Sequence, residues 1–224
     1  MEQQETRVEK PSLFGMIMNP REQFERIREN PKIIVALLIV TFLTIVGLLM
    51  MESGMDLSDD PSLAGMSEEE LLLVSIAGQI MFIIMGLFTP IVIILITTLV
   101  LFGLAKIVQS QVTFKQLFSM NTYAYLISVL GLVINGFVMM LVKPSNPDTY
   151  FTSLDSIINA EGVLRGLLSN FEVFNIWYLV VIAIGLQVVA KFSKKLSWSV
   201  VIAFFILSAV LSMVGAAAGS VLGV

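Results

Sequence analysis

The sequence predicts an all-α fold: a polytopic membrane helix bundle of five transmembrane helices, with the N-terminus cytoplasmic and the C-terminus outside. Three observations lead to it. The chain's 224 residues are 57% hydrophobic and 13% charged, with a mean hydropathy of +0.92, where soluble domains carry roughly 25% charged residues. Five apolar runs, Ile33 to Met51, Leu71 to Ala105, Leu117 to Val142, Val173 to Ala190 and Ser197 to Val221, can each cross a hydrocarbon core that takes about 20 helical residues. Charge is confined to the segments between these runs, and its sign alternates from one segment to the next.

That alternation sets the topology. Every basic residue except Lys143 and Arg165 lies in the amino-terminal arm (Arg7, Lys10, Arg21, Arg26, Arg28, Lys32), around Lys106 and Lys115, or in the link Lys191, Lys194, Lys195. Basic segments are retained on the cytoplasmic side, so these three are inside, and the acidic segments Glu52 to Glu70 and Lys143 to Glu172 are outside. Five crossings keep all three basic segments on one side. The chain divides accordingly into a cytoplasmic amphipathic arm, residues 1–32, and a transmembrane domain, residues 33–224.

In the arm, Leu13, Phe14, Met16, Ile17 and Met18 precede Asn19-Pro20-Arg21-Glu22, a capping Asn before a first-turn Pro with Glu three residues on. The helix so started holds Phe24 and Ile27 among Arg21, Arg26 and Arg28. Apolar anchors beside bases suit an interfacial helix lying on anionic membrane lipids. Asn30-Pro31 repeats the Asn-Pro device before the first span, which is expected to be a retained anchor because no small-residue cleavage site follows Met51.

The first outer segment carries Asp56, Asp59 and Asp60, whose spacing matches no calcium loop, and is expected to be a solvated hairpin. Capping boxes at Ser67 to Glu70, Thr113 to Gln116 and Ser169 to Glu172 then start spans two, three and four. Span two is too long for one crossing. A helix from Glu68 to Val108 would run roughly 60 Å, about twice the hydrocarbon thickness. It therefore projects, or it breaks, and Pro90 pressing on the carbonyl of Gly86 marks the expected kink. A full reversal into two spans is the alternative, which would invert everything downstream.

Between spans three and four, Tyr150, Phe151, Leu154, Ile157 and Ile158, then Val163, Leu164, Leu167 and Leu168, recur at helical spacing and predict short amphipathic helices on the outer surface. The last span presents Gly215, Gly219 and Gly223 at intervals of four, with Ser208, Ser212, Ala216 and Ser220 close to the same face. Small residues at that period let backbones approach, which predicts a helix-packing surface. Its neighbour is another helix of this chain or, in a homo-oligomer, a second copy.

The composition excludes much. With neither cysteine nor histidine, disulfides, thiolate or imidazole metal sites and histidine-based triads are ruled out, and no Gly-Lys-Ser/Thr phosphate loop is present. No catalytic residue, cofactor, metal or nucleic-acid partner is expected. No Asp, Glu, Lys or Arg lies inside a span, which argues against ion-coupled transport by this chain alone. The uncharged polar residues at depth, among them Gln79, Thr98, Asn135 and Gln187, suit bonds between helices.

These features resemble the Yip family of five-span membrane proteins, nearest its bacterial, YknW-like branch. The residues that carry the resemblance are Pro11-Ser12-Leu13-Phe14 through Asn19-Pro20, Phe24, Ile27 and Asn30-Pro31, and Val112-Thr113-Phe114-Lys115-Gln116-Leu117-Phe118 leading to Tyr123-Ala124-Tyr125. Where many members have a proline soon after that tyrosine, this chain has Leu126, Ile127 and Ser128. The resemblance implies a non-enzymatic accessory protein of the bacterial plasma membrane, associated with ABC-type efflux systems that resist toxic peptides, with the transporter subunits as partners. A passive channel or small-solute permease, with Pro90 and Asn135 near its pathway, is the second expectation. A lipid-organising protein acting through the basic arm is the third.

Overall fold

A computed structural model describes residues 9–55, 63, 65–144, 150–158 and 160–222. Among these residues it is helical, apart from one isolated antiparallel bridge between Ser153 and Glu172. The arm forms α1 (Leu13–Met18) and α2 (Pro20–Glu29), followed by α3 (Ile34–Ser53), α4 (Glu68–Ile107) and α5 (Phe114–Val142). Two short helices, α6 (Leu154–Ile158) and α7 (Gly162–Leu168), lead to α8 (Val173–Val188) and α9 (Lys194–Leu222).

Four helices, α3, α4, α5 and α9, are long and apolar enough to cross a membrane. The sequence's fourth run ends early. It forms a helix of 16 residues, because the chain leaves the helix after Val188 and Lys191 turns into the left-handed region at φ 58°. Span two is one continuous helix of 40 residues that passes through Pro90, so the chain does not reverse there.

The caps form where both partners are local. Ser67 with Glu70 and Thr113 with Gln116 make complete capping boxes, and Asn19 accepts from the Glu22 amide with Pro20 at the first turn. Two other expected starts differ. Asn30 closes α2, its amide donating to the Arg26 carbonyl, and α3 has Ile33 at its N-cap and no side-chain cap. Ser169 ends α7, while Glu172 itself caps α8 by accepting from the Asn175 amide at 2.6 Å.

α3 lies between α5, its largest interface, and α4. The α3–α5 crossing depends on glycines. A Cβ on Gly136 would come within 2.6 Å of the Gly47 carbonyl, and one on Gly47 within 2.8 Å of Leu132. Gly86 plays the same part between α4 and α3, where a Cβ would meet Ile45 at 2.7 Å. The residue expected to yield to Pro90 is thus also the point of close approach. The buried face of α4 continues through Pro90, Ile94, Thr98, Leu101 and Ala105, about one residue per turn.

Candidate functional site

The three basic segments meet at one end of the bundle. Gln116 Nε2 donates to the Arg28 carbonyl at 2.7 Å, Ser119 Oγ to the Lys32 carbonyl at 2.7 Å, and Ser110 Oγ to the Ala190 carbonyl at 2.6 Å. These bonds tie the arm, the α4–α5 loop and the α8–α9 loop together. A cleft of about 590 Å³ opens among them, lined by Arg28, Gln109, Gln111, Gln116, Lys191 and Ser193 among others, with no acidic residue on its walls.

The arm is part of the fold at this end. Phe24 and Ile27 are fully buried with Met16, in one cluster with Leu117, Met120, Ile182 and Leu186. They do not face lipid, as the sequence had suggested, because an amphipathic helix presents the same stripe to a bundle as to a bilayer. The Tyr123 hydroxyl donates to the Pro11 carbonyl and Gln23 accepts from the Ser12 amide, pinning α1 and α2 against α5. Phe14 remains 72% exposed. Of the arm's bases, Arg21 pairs with Glu25 on the surface, Arg26 pairs with Glu9 and Glu22, and Arg28 reaches the cleft.

The opposite end is polar inside and more open. Asn135, 1% exposed, donates to Thr152 Oγ1 at 2.7 Å and accepts from the Thr152 amide, while Thr152 Oγ1 donates to Glu172 at 2.6 Å. Asn135 and Glu172 border a cavity of about 310 Å³ that Thr44, Thr89, Tyr125 and Ser128 also line. The sequence flagged Asn135 but not Glu172, which reaches this place through the bridge to Ser153.

The small-residue face of α9 is half occupied. α7 lies across it, so that a Cβ on Gly166 would come within 2.5 Å of the Ser212 carbonyl, and Ser208 Oγ donates to Asn170 at 2.9 Å. Beyond Ser212 the face opens into a groove of about 530 Å³ lined by Gly215, Ala216, Gly219, Asp155 and Arg165. Among the described residues, a Cβ built on Gly215 would meet open space outside its own turn of helix. Gly223 and the side chain of Ser220 lie outside the described residues, as do Asp56, Asp59, Asp60 and Arg7.

The least covered part of the molecule is the first half of α4. From Glu68 to Met85 none of its residues is buried, although Leu72, Leu73, Ile76, Ile80, Ile83 and Ile84 are large and apolar. Gln79 is exposed among them, without a hydrogen-bond partner among the described residues. With the second half the helix runs about 60 Å, so its apolar surface exceeds both what the bundle covers and what a bilayer core of roughly 30 Å requires.

The Yip1 domain profile matches residues 14–216. The chain is 36% identical to "Membrane protein YknW" of Bacillus subtilis (strain 168) over 228 aligned residues, covering 97% of this chain and 95% of the relative. No solved structure matches it.

Proposed function

The chain belongs to the Yip1-domain family of integral membrane proteins, and on that premise we propose that it is a non-enzymatic accessory subunit that assists the assembly or regulation of another membrane complex. The observation that carries this reading is the uncovered half of α4. A helix surface with an unbonded Gln79 amide amid apolar residues suits another helix better than lipid tails, which offer that amide no partner. The partner class of the proposal, which rests on the resemblance of the arm and the third span to YknW-like proteins, is the permease subunits of an ABC-type efflux system involved in resistance to toxic peptides. The topology of the proposal has five crossings with the N-terminus inside. α8 supports it by running from the Asn135–Thr152–Glu172 network to the Ser110–Ala190 bond, that is, from one end of the bundle to the other.

Photo-cross-linkers at Leu73 and Ile80, with Ile202 on α9 as the control, test the reading in native membranes. Adducts with a polytopic permease at the two α4 positions, and stoichiometric co-purification in mild detergent, are expected. Recovery of the chain alone with lipid adducts only would overturn it, and an adduct of twice the chain's mass would replace the efflux partner with a second copy. The 310 Å³ cavity favours a second reading, a passive channel passing Asn135. Val40, Ile94, Leu126 and Val129 form a buried apolar cluster among the same helices, which ranks this reading lower. Reconstituted liposomes that stay tight to ions and small solutes would remove it.

A further inference from the structure

We propose that the cleft at the basic end binds the phosphate of an anionic phospholipid. This goes beyond the accessory reading and stands without it. The first ground is charge left uncompensated. Arg28 and Lys191 border the cleft, and among the described residues no acidic residue lines it and neither base makes an ion pair, whereas Arg21 and Arg26 on the same helix as Arg28 are both paired. Two like charges on one cavity wall repel each other, and a phosphate between them reverses the sign of that interaction.

The second ground is the division of labour among the polar side chains. Gln116 and Ser110 are already committed to holding the walls, through the Arg28 and Ala190 carbonyls. The side chains of Gln109 and Gln111 make no hydrogen bond among the described residues, and their carboxamides add donors beside the two cations. Gln109 and Lys191 are moreover held at φ 57° and 58°, a region that favours glycine. At Gln109 the geometry is that of a Schellman turn, with the Ser110 amide donating to the Ala105 carbonyl at 2.8 Å and the Gln109 amide to the Lys106 carbonyl at 3.1 Å. Both loops carry long polar side chains over the cleft where glycine would form the turn more easily.

The level of the cleft selects a lipid over a soluble phosphate. Val108, which lines the cleft, and Ile107, the residue before it, are 43% and 78% exposed, apolar surface suited to an acyl chain. Trp198, 36% exposed, follows Lys194 and Lys195 by about one turn of α9, the place at which an indole marks the headgroup region. A diacyl phosphate diester such as phosphatidylglycerol meets all three features: its phosphate Arg28 and Lys191, its glycerol hydroxyls the glutamines, and its chains the rim.

The test is retention of phosphatidylglycerol by the full chain, measured by native mass spectrometry and by thermal shift against phosphatidylcholine. Wild type is expected to hold one phosphatidylglycerol selectively, and the Arg28→Gln/Lys191→Gln pair to bind it roughly thirtyfold more weakly. Both residues are exposed, so the pair is expected to melt like wild type in phosphatidylcholine nanodiscs. The single Lys191→Gln variant gives the same readout should the pair not fold. Arg21→Gln, a basic residue of the same helix outside the cleft, is expected to bind like wild type. An equal loss in Arg21→Gln would overturn the site in favour of diffuse surface attraction, as would a wild type indifferent to the lipid's charge. Displacement by millimolar glycerol phosphate or inorganic phosphate would assign the cleft to a soluble anion and overturn the lipid.

Discussion

The two ends of the bundle are finished differently. At the basic end the arm folds back as a plug, and Phe24, Ile27 and Met16 complete a core with α5 and α8. At the acidic end α3 and α5 still pack closely, but the other helices are covered unevenly. α4 leaves half its length uncovered, α7 lies over only part of α9, and Asn135 and Glu172, joined through Thr152 by hydrogen bonds, border a cavity where the other end has packed side chains. A chain that fills one end of its core from its own sequence and leaves apolar surface open at the other is stable enough to fold and still has a place to be completed. The difference separates residues whose loss unfolds the protein from residues whose loss is felt in assembly.

The largest effect is expected where the plug enters. Phe24→Ala removes a fully buried ring that lies near Gly185 and Met120, and should cost about 3–5 kcal/mol in thermal or denaturant unfolding in detergent. Phe14→Ala, at a ring 72% exposed, should change stability by less than about 0.5 kcal/mol. Equal effects would break the comparison, because they would mean that the arm lies on lipid and contributes no core.

An intermediate effect is expected at the far end. Gly166→Ala brings a methyl against the backbone of Ser212 and Met213, which cannot turn aside as a side chain could. The expected cost is about 1–3 kcal/mol, appearing as local undocking of α7 and faster hydrogen exchange over residues 162–168. Gly215→Ala, four residues from Gly219 on the open face, meets nothing and should leave the isolated chain's melting unchanged or slightly raised. If Gly215→Ala nevertheless weakens co-purification of a partner, the open part of the α9 face is where that partner sits.

This contrast also explains what could be read from the sequence. The boxes at Ser67 and Thr113 were legible because cap and return bond lie three residues apart. Ser169 to Glu172 has the same spelling, yet the bridge to Ser153 holds the backbone at Glu172 extended and the helix starts there instead. Membrane insertion and the grouping of the basic segments followed from composition and charge. The burial of Phe24 and Ile27 did not, since periodicity reports that a face is apolar and not what covers it. A helix-packing surface was expected along Gly215, Gly219 and Gly223; Gly47 and Gly136, which the sequence did not single out, provide a close approach between α3 and α5. Each is a lone glycine, significant only opposite the other. The cleft was the hardest to foresee: Arg28 stood out, but Gln109 and Lys191 face it through positive φ angles that leave no mark in the pattern.

The smallest effect tests whether those angles matter. An L-residue in the left-handed region costs on the order of 1–2 kcal/mol, and glycine gives back roughly 0.5–1 kcal/mol through the greater freedom of the unfolded chain, so Gln109→Gly should stabilise by about 0.5 kcal/mol. Lys143, which ends α5 at the acidic end with φ 47°, is held in the same region and lines none of the cavities described above. Lys143→Gly should therefore give a similar gain in melting temperature. Turn geometry alone predicts that the two substitutions are equivalent in every assay. If the strain at the basic end instead serves to hold a side chain over an anion, only Gln109→Gly will lose affinity for phosphatidylglycerol as it gains stability, and Lys143→Gly will keep it.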